Sequence, residues 1–225
     1  MPFAAILFDA YGTLLDVGSV RAAAERAFPG HGAALSALWR EKQLQYSWLR
    51  TLAGRYADFW QVTGEALDFA VAALDLGLDE ATRGMLMAEY ERLTPFADTA
   101  PMLEAIGSRG LPLAVLSNGT PHMLEAAFTH AGLRQHFVAL LSVDAAQQYK
   151  VAPAAYQLAV DHFGARAGEL LLVSSNGWDV AGAAAFGLQT FWVNRQGAPV
   201  ERLGVEPTGT GRSLVELPGW LNEQN

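Results

Sequence analysis

The chain has 225 residues, 51% of them hydrophobic and 17% charged, which is the composition of a folded protein rather than a disordered one. Its formal net charge is −8 and no stripe of Lys or Arg is present, which argues against a nucleic-acid partner. The absence of cysteine excludes disulfides, zinc–thiolate sites and a thiol nucleophile. No uncharged run reaches the roughly 20 residues of a spanning helix and no cationic segment precedes the first apolar one, so no membrane contact and a cytoplasmic location are expected.

In chain order, Ala4 to Phe8 is a short continuous apolar run that stops at Asp9-Ala10-Tyr11-Gly12-Thr13, the pattern of a buried parallel strand ending in a loop. Val20 to Leu93 then carries helix-period apolar positions and no convincing strand. Helical segments are expected at Ala33 to Leu52, Ala57 to Thr63, Leu67 to Leu74 and Ala81 to Arg92. From about residue 96 onward the strand pattern returns. Leu113 to Leu116 ends at Ser117-Asn118, Glu169 to Val173 ends at Ser174-Ser175-Asn176, and Thr190 to Val193 ends at Asn194-Arg195, with helices expected at Pro121 to Ala131 and Ala152 to Phe163. The glycine-bearing segment from Thr208 to Trp220 reads as a loop with a terminal turn.

These alternations predict an α/β fold: a Rossmann-like parallel sheet with helices on both faces, plus an inserted helical cap. Residues 1–15 and 96–225 would form the core domain, and residues 16–95 the cap over the carboxyl ends of the strands.

Ligands of open α/β sheets bind at those carboxyl ends, where this chain places Asp9, Thr13, Ser117, Asn118, Ser174, Asn176 and Asp179. Alone, Asp9 reads as a loop cap and Lys150 as a surface lysine. Together they offer a carboxylate nucleophile, hydroxyl and amide groups for an anion, and a cation that keeps several acids ionised. The five histidines show no metal-ligand spacing.

Phe8-Asp9-Ala10-Tyr11-Gly12-Thr13-Leu14 resembles the first motif of the haloacid dehalogenase superfamily. Ser117-Asn118-Gly119 resembles its second motif, Tyr149-Lys150-Val151-Ala152-Pro153 its third, and Ser174-Ser175-Asn176-Gly177-Trp178-Asp179 its fourth. Trp39-Arg40-Glu41-Lys42-Gln43-Leu44 further resembles the cap of the (S)-2-haloacid dehalogenases.

Most superfamily members are magnesium-dependent phosphatases, with a second Asp two residues after the nucleophile as general acid. Here that position is Tyr11, a phenol of ordinary pKa about 10, whereas a departing halide needs no proton. Asn176 stands where relatives usually place a carboxylate for Mg²⁺, although Asp179 remains.

The resemblance therefore implies a metal-independent and cofactor-independent hydrolase that converts short (S)-2-haloalkanoic acids to (R)-2-hydroxy acids through an ester on Asp9. A magnesium-dependent phosphatase and a non-catalytic carboxylate- or partner-binding member are the alternatives. The resemblance gives catalytic roles to Asp9, Thr13, Lys150, Ser174, Asn176 and Asp179. It gives substrate contacts to Tyr11, Arg40, Leu44, Phe59, Ser117, Asn118, Tyr156 and Trp178, with Arg40 and Asn118 on the halide. It also implies a homodimer. Two departures are Val151-Ala152-Pro153 in place of Pro-x-Pro and Glu41 where relatives carry Gln, a carboxylate able to pair with Arg40.

Overall fold

A computed structural model describes residues 3–224. Six strands, β1 (Ala5–Phe8), β4 (Leu113–Ser117), β5 (Ala139–Ser142), β6 (Leu170–Ser174), β7 (Gln189–Val193) and β8 (Gly209–Gly211), pair in parallel in the order β5-β4-β1-β6-β7-β8. The first, β1, lies in the middle because the chain builds outward to β5 and then crosses back to β6 on the other side. The carboxyl ends of β1, β4 and β6 therefore converge at the point where the winding reverses.

Continuous apolar runs suit this sheet because both of its faces are covered. Ile6, Phe8, Val115, Leu171 and Val173 point into one core, while Ala5, Leu7, Ala114, Leu116, Leu170 and Leu172 point into the other. Helices α5 (Thr99–Gly107) and α6 (Pro121–His130) pack on the first face; α7 (Pro153–Phe163) and α8 (Gly177–Phe186) contribute to the second. Pro121 and Pro153 stand in the first turns of α6 and α7, where no intrahelical N–H is lost.

Between β1 and β4 the chain makes a two-stranded antiparallel ladder, β2 (Leu15–Asp16) with β3 (Thr94–Pro95), at the point where it leaves and re-enters the sheet region. The helices between them are α1 (Gly18–Ala27), α2 (Gly32–Leu52), α3 (Phe59–Ala73) and α4 (Glu80–Ala88). On α2, Leu35, Trp39, Gln43 and Ser47 are buried at four-residue spacing, one face of a helix. On α3 the buried residues include Phe59, Val62, Ala66, Leu67 and Ala70, and Trp39 Nε1 donates to Thr63 O at 2.8 Å across the pair. Fully burying one such apolar side chain contributes about 1.5–3 kcal/mol, so this packing rather than helix propensity holds the insertion together.

Three expectations need correction. The separate helices at Ala57 to Thr63 and Leu67 to Leu74 are one helix, α3. Gly64 does not break it; an added Cβ would lie 2.5 Å from Arg83 Nη2, so this glycine makes room for the Arg83–Asp68 ion pair. The segment Thr208 to Trp220 contains the edge strand β8 and the start of a final helix, α9 (Leu217–Glu223). Gly209 and Gly211 are packing residues: a Cβ would sit 2.4 Å from the Trp220 ring at the first and 2.9 Å from the Phe191 ring at the second. Finally, α4 ends at Ala88 and continues only as a 3₁₀ turn through Glu91.

Candidate active site

Asp9 follows β1 directly, and its N–H donates to Val173 O on the neighbouring β6 at 3.0 Å. The chain then turns through Gly12, whose φ of +83° a Cβ would oppose, and brings Thr13 back over the carboxylate. Thr13 Oγ1 donates to Asp9 Oδ2 at 3.0 Å and accepts from Ser175 N at 2.9 Å, which ties the β1 loop to the β6 loop. Asn176 Nδ2 donates to the same Asp9 oxygen at 2.8 Å. Although Asn176 occupies the N-cap of α8, its side chain makes no cap bond, because it is turned to Asp9 instead.

The other oxygen, Asp9 Oδ1, receives Lys150 Nζ at 3.4 Å, and the same ammonium lies 2.8 Å from Asp179 Oδ2. Lys150 is 1% exposed and Asp179 is fully buried, so the trio is a desolvated charge cluster. Burial works against the ammonium, but the Asp179 and Asp9 carboxylates outweigh it and hold the Lys150 pKa above its ordinary value of 10.5. Burial raises the Asp179 carboxyl above its ordinary value; Lys150 opposes that rise and the Asp9 charge reinforces it. Tyr156 OH donates to Asp179 Oδ1 at 2.9 Å from α7 beneath.

Around this cluster, Ser117 is buried at the end of β4, where its Oγ accepts from Gly119 N at 3.2 Å. Asn118 Oδ1 accepts from Lys150 N at 3.0 Å, so the second motif fixes the backbone of the third. Ser174 Oγ accepts from Asn176 N at 3.2 Å. Tyr11 is 3% exposed and packs on Phe59, with ring centroids 6.1 Å apart. Burial above all, then the neighbouring Tyr90 and Asp9, push its phenol far above 10. A cavity of about 670 Å³ adjoins these groups, lined among others by Tyr11, Arg40, Asn176, Trp178 and Arg195.

Residues 3–187 match the family model of the haloacid dehalogenase-like hydrolases. The chain belongs to that family. It is 47% identical to the (S)-2-haloacid dehalogenase of Pseudomonas sp. strain YL, over 94% of this chain and 93% of that one. A crystal structure of an L-2-haloacid dehalogenase superposes with a TM-score of 0.97 at 48% identity, covering 99% of this chain and all of the other. The L-2-haloacid dehalogenase of Xanthobacter autotrophicus with chloropropionic acid covalently bound superposes with a TM-score of 0.93 at 40% identity, again covering 99% of this chain and all of that one.

With the family established, the four motifs can be placed. Asp9, Thr13, Lys150, Asn176 and Asp179 form one hydrogen-bonded network, while Ser117, Asn118 and Ser174 shape the loops around it. Tyr156, expected as a substrate contact, is fully buried with its hydroxyl on Asp179, the position of a residue that orients that carboxylate. Arg40 and Leu44 lie one turn apart on α2, both half-buried. Trp178 meets Trp48 of α2 edge to face at 5.6 Å, joining α8 to the insertion.

The feared pairing of Arg40 with Glu41 is not formed: Glu41 is exposed, and Arg40 Nη1 donates to Gln43 Oε1 at 2.6 Å. Sequence reasoning also missed Arg195, which makes a bidentate pair with Asp98 at 2.7 and 3.0 Å and donates to Thr13 O at 3.0 Å. Polar residues on the buried stripe of α2 were the available signal for Gln43. For Arg195 and Asp98, 97 residues apart, the sequence offered none.

Proposed function

We propose that this enzyme hydrolyses short (S)-2-haloalkanoic acids to (R)-2-hydroxy acids. The observation that carries this reading is a buried Asp9 held by Thr13, Asn176 and Lys150 while Tyr11, not a carboxylic acid, occupies the general-acid position.

Asp9 Oδ2 accepts hydrogen bonds at 3.0 and 2.8 Å, whereas Oδ1 carries only the longer Lys150 contact at 3.4 Å and keeps the freer lone pairs. Oδ1 attacks C2 opposite the carbon–halogen bond; a C–O bond forms, and the halide leaves with the bonding pair. C2 is inverted and an ester to Asp9 results. Water then adds to the Asp9 carbonyl carbon, giving its proton to Asp179, whose raised proton affinity suits a base. The ester's acyl–oxygen bond breaks, the product alkoxide takes up that proton, and the second water proton, left on the Asp9 carboxyl, passes to solvent to restore the carboxylate. Arg40 and Asn118 receive the halide, and Tyr11, Leu44, Phe59 and Trp178 wall the carbon chain.

The phosphatase alternative needs an acid for its alkoxide leaving group, and a phenol held far above 10 is a poorer one still. It also needs oxygen ligands for a cation, but both buried carboxylates are bound to Lys150 and Asn176 offers an amide.

Residues 1–15 with 96–225 and residues 16–95 are proposed as core and cap domains, supported by the β2–β3 ladder at the junction. We also propose a cytoplasmic homodimer; the exposed Leu49 and Leu52 of α2 give such a contact apolar material, and sedimentation would measure the assembly. The deciding assay follows chloride release from (S)-2-chloropropionate with a chelator present, beside an aryl phosphate with Mg²⁺. Chloride is expected; phosphate release without chloride would overturn the proposal.

A further inference from the structure

We infer that Gln43 is a positioning residue for the leaving group: a buried, uncharged tether that aims the Arg40 guanidinium at the departing halide without cancelling its charge. This rests on the dehalogenase reading above.

Gln43 is 0% exposed, and a buried amide is costly unless both its ends are bonded. Both are. Thr63 Oγ1 donates to Phe59 O at 2.5 Å, which commits its only proton, so it can only accept from Gln43 Nε2 at 2.8 Å. That fixes the amide with Oε1 outward, where it accepts from Arg40 Nη1 at 2.6 Å. A relay thus runs from the α3 backbone through Thr63 and Gln43 to the guanidinium.

Arg109 is also held by neutral groups, Pro218 O and Asn222 Oδ1, but three other arginines give the relay its meaning by contrast. Arg50, Arg83 and Arg195 are each held by a carboxylate, at 2.5, 2.8 and 2.7 Å. Among the described residues Arg40 makes no ion pair; its tether is neutral, and burial keeps the nearby Tyr11 and Tyr90 phenols protonated. Arg40 lines the cavity together with Asn176, the residue that binds Asp9. An uncancelled cation in a cavity that Tyr11, Tyr90, Trp178 and the Asp9 partner Asn176 also line is suited to the charge that develops on a leaving halide. A carboxylate at position 43 would hold the guanidinium equally well and remove that capacity.

The test compares Gln43→Met, Gln43→Glu and Thr63→Val with the wild type, measuring kcat and KM for halide release from (S)-2-chloropropionate and (S)-2-bromopropionate. Chloride is the poorer leaving group, so weakened stabilisation slows its departure more. The chloro-to-bromo kcat ratio is expected to fall about tenfold in both Gln43 variants and by less in Thr63→Val, the scale of one charge-assisted hydrogen bond. Folded variants whose ratio stays within about twofold of wild type would overturn the tether, since a merely structural amide slows both substrates alike. If neither Gln43 variant folds, Thr63→Val decides by the same ratio. A wild type that releases neither halide overturns the dehalogenase reading and the tether together; an active wild type with unchanged ratios in the variants overturns the tether alone.

Discussion

The two sides of the site treat charge in opposite ways. On the sheet side, Asp9, Lys150 and Asp179 bind one another, Thr13 and Asn176 complete Asp9, and Arg195 with Asp98 anchors the Thr13 carbonyl. On the helical side, a single arginine is held by an amide. On the mechanism proposed above, the sheet side fixes a nucleophile and a base whatever the ligand. The helical side keeps a charge available for whatever anion arrives. Catalysis by displacement requires both, because charge leaves the Asp9 carboxylate and reappears on the leaving atom.

Substitutions within the Asp9–Lys150–Asp179 cluster should therefore strike turnover hardest, whichever halide leaves. Asp9→Asn should lower chloride release by about a thousandfold or more, because no other route to the ester exists, while circular dichroism shows a native fold. Lys150→Met comes next and strikes stability as well, since it leaves two buried carboxylates without their cation, a loss of about 3–5 kcal/mol in urea unfolding at pH 7. The pH dependence has a definite sign. The folded pKa of Lys150 lies above the ordinary 10.5, so its contribution is fully present below that value and is lost as pH rises through the folded pKa. Wild type should show this alkaline loss of stability, and Lys150→Met should not.

Arg195→Gln tests the outer support of the same side. Burial pushes the Asp98 carboxyl up, but Arg195, Ser213 and the Leu214 N–H outweigh it and hold it below the usual range. A depressed carboxyl contributes stability above its unfolded value of 3.8 that is lost as pH falls through the folded value. The variant should therefore be less stable by about 1–3 kcal/mol at pH 7, the scale of hydrogen bonds to charged groups, with the gap closing in acid. Turnover should fall by less than in Lys150→Met, because Thr13 Oγ1 still reaches Asp9.

The same contrast governs what the sequence disclosed. Four of the six strands, β1, β4, β6 and β7, were legible because strands covered on both faces must be apolar throughout, and the first three stop at Asp9, Ser117 and Ser174 around the site. Ala139–Ser142 was missed as a strand because three of its four residues are only half-buried at the sheet edge, and Gly209–Gly211 because glycines that admit Trp220 and Phe191 look like a loop. In the insertion, helical periodicity gave the elements but not their joins, since Gly64 is explained only by Arg83, nineteen residues on. Local motifs singled out Asp9, Lys150 and Asn176, which the fold brings into one network, whereas contacts made from a distance, Arg195 onto Thr13 and Thr63 behind Gln43, exist only once the chain has folded.

The smallest effect is expected at Glu41, and it bears directly on how the helical side keeps its charge. Adjacent residues on a helix diverge by about 100°, so a carboxylate next to Arg40 in sequence does not share its face. Glu41 is exposed, where water and salt screen its influence on a guanidinium turned toward the cavity. Glu41→Gln should leave stability within about 0.5 kcal/mol. It should also change the chloro-to-bromo rate ratio by less than about twofold, even at low ionic strength. Should the ratio instead rise severalfold in Glu41→Gln and return toward wild type with added salt, Arg40 would be partly neutralised by its neighbour. The helical side would then not hold an uncompensated cation, and the contrast between the two sides would be one of degree.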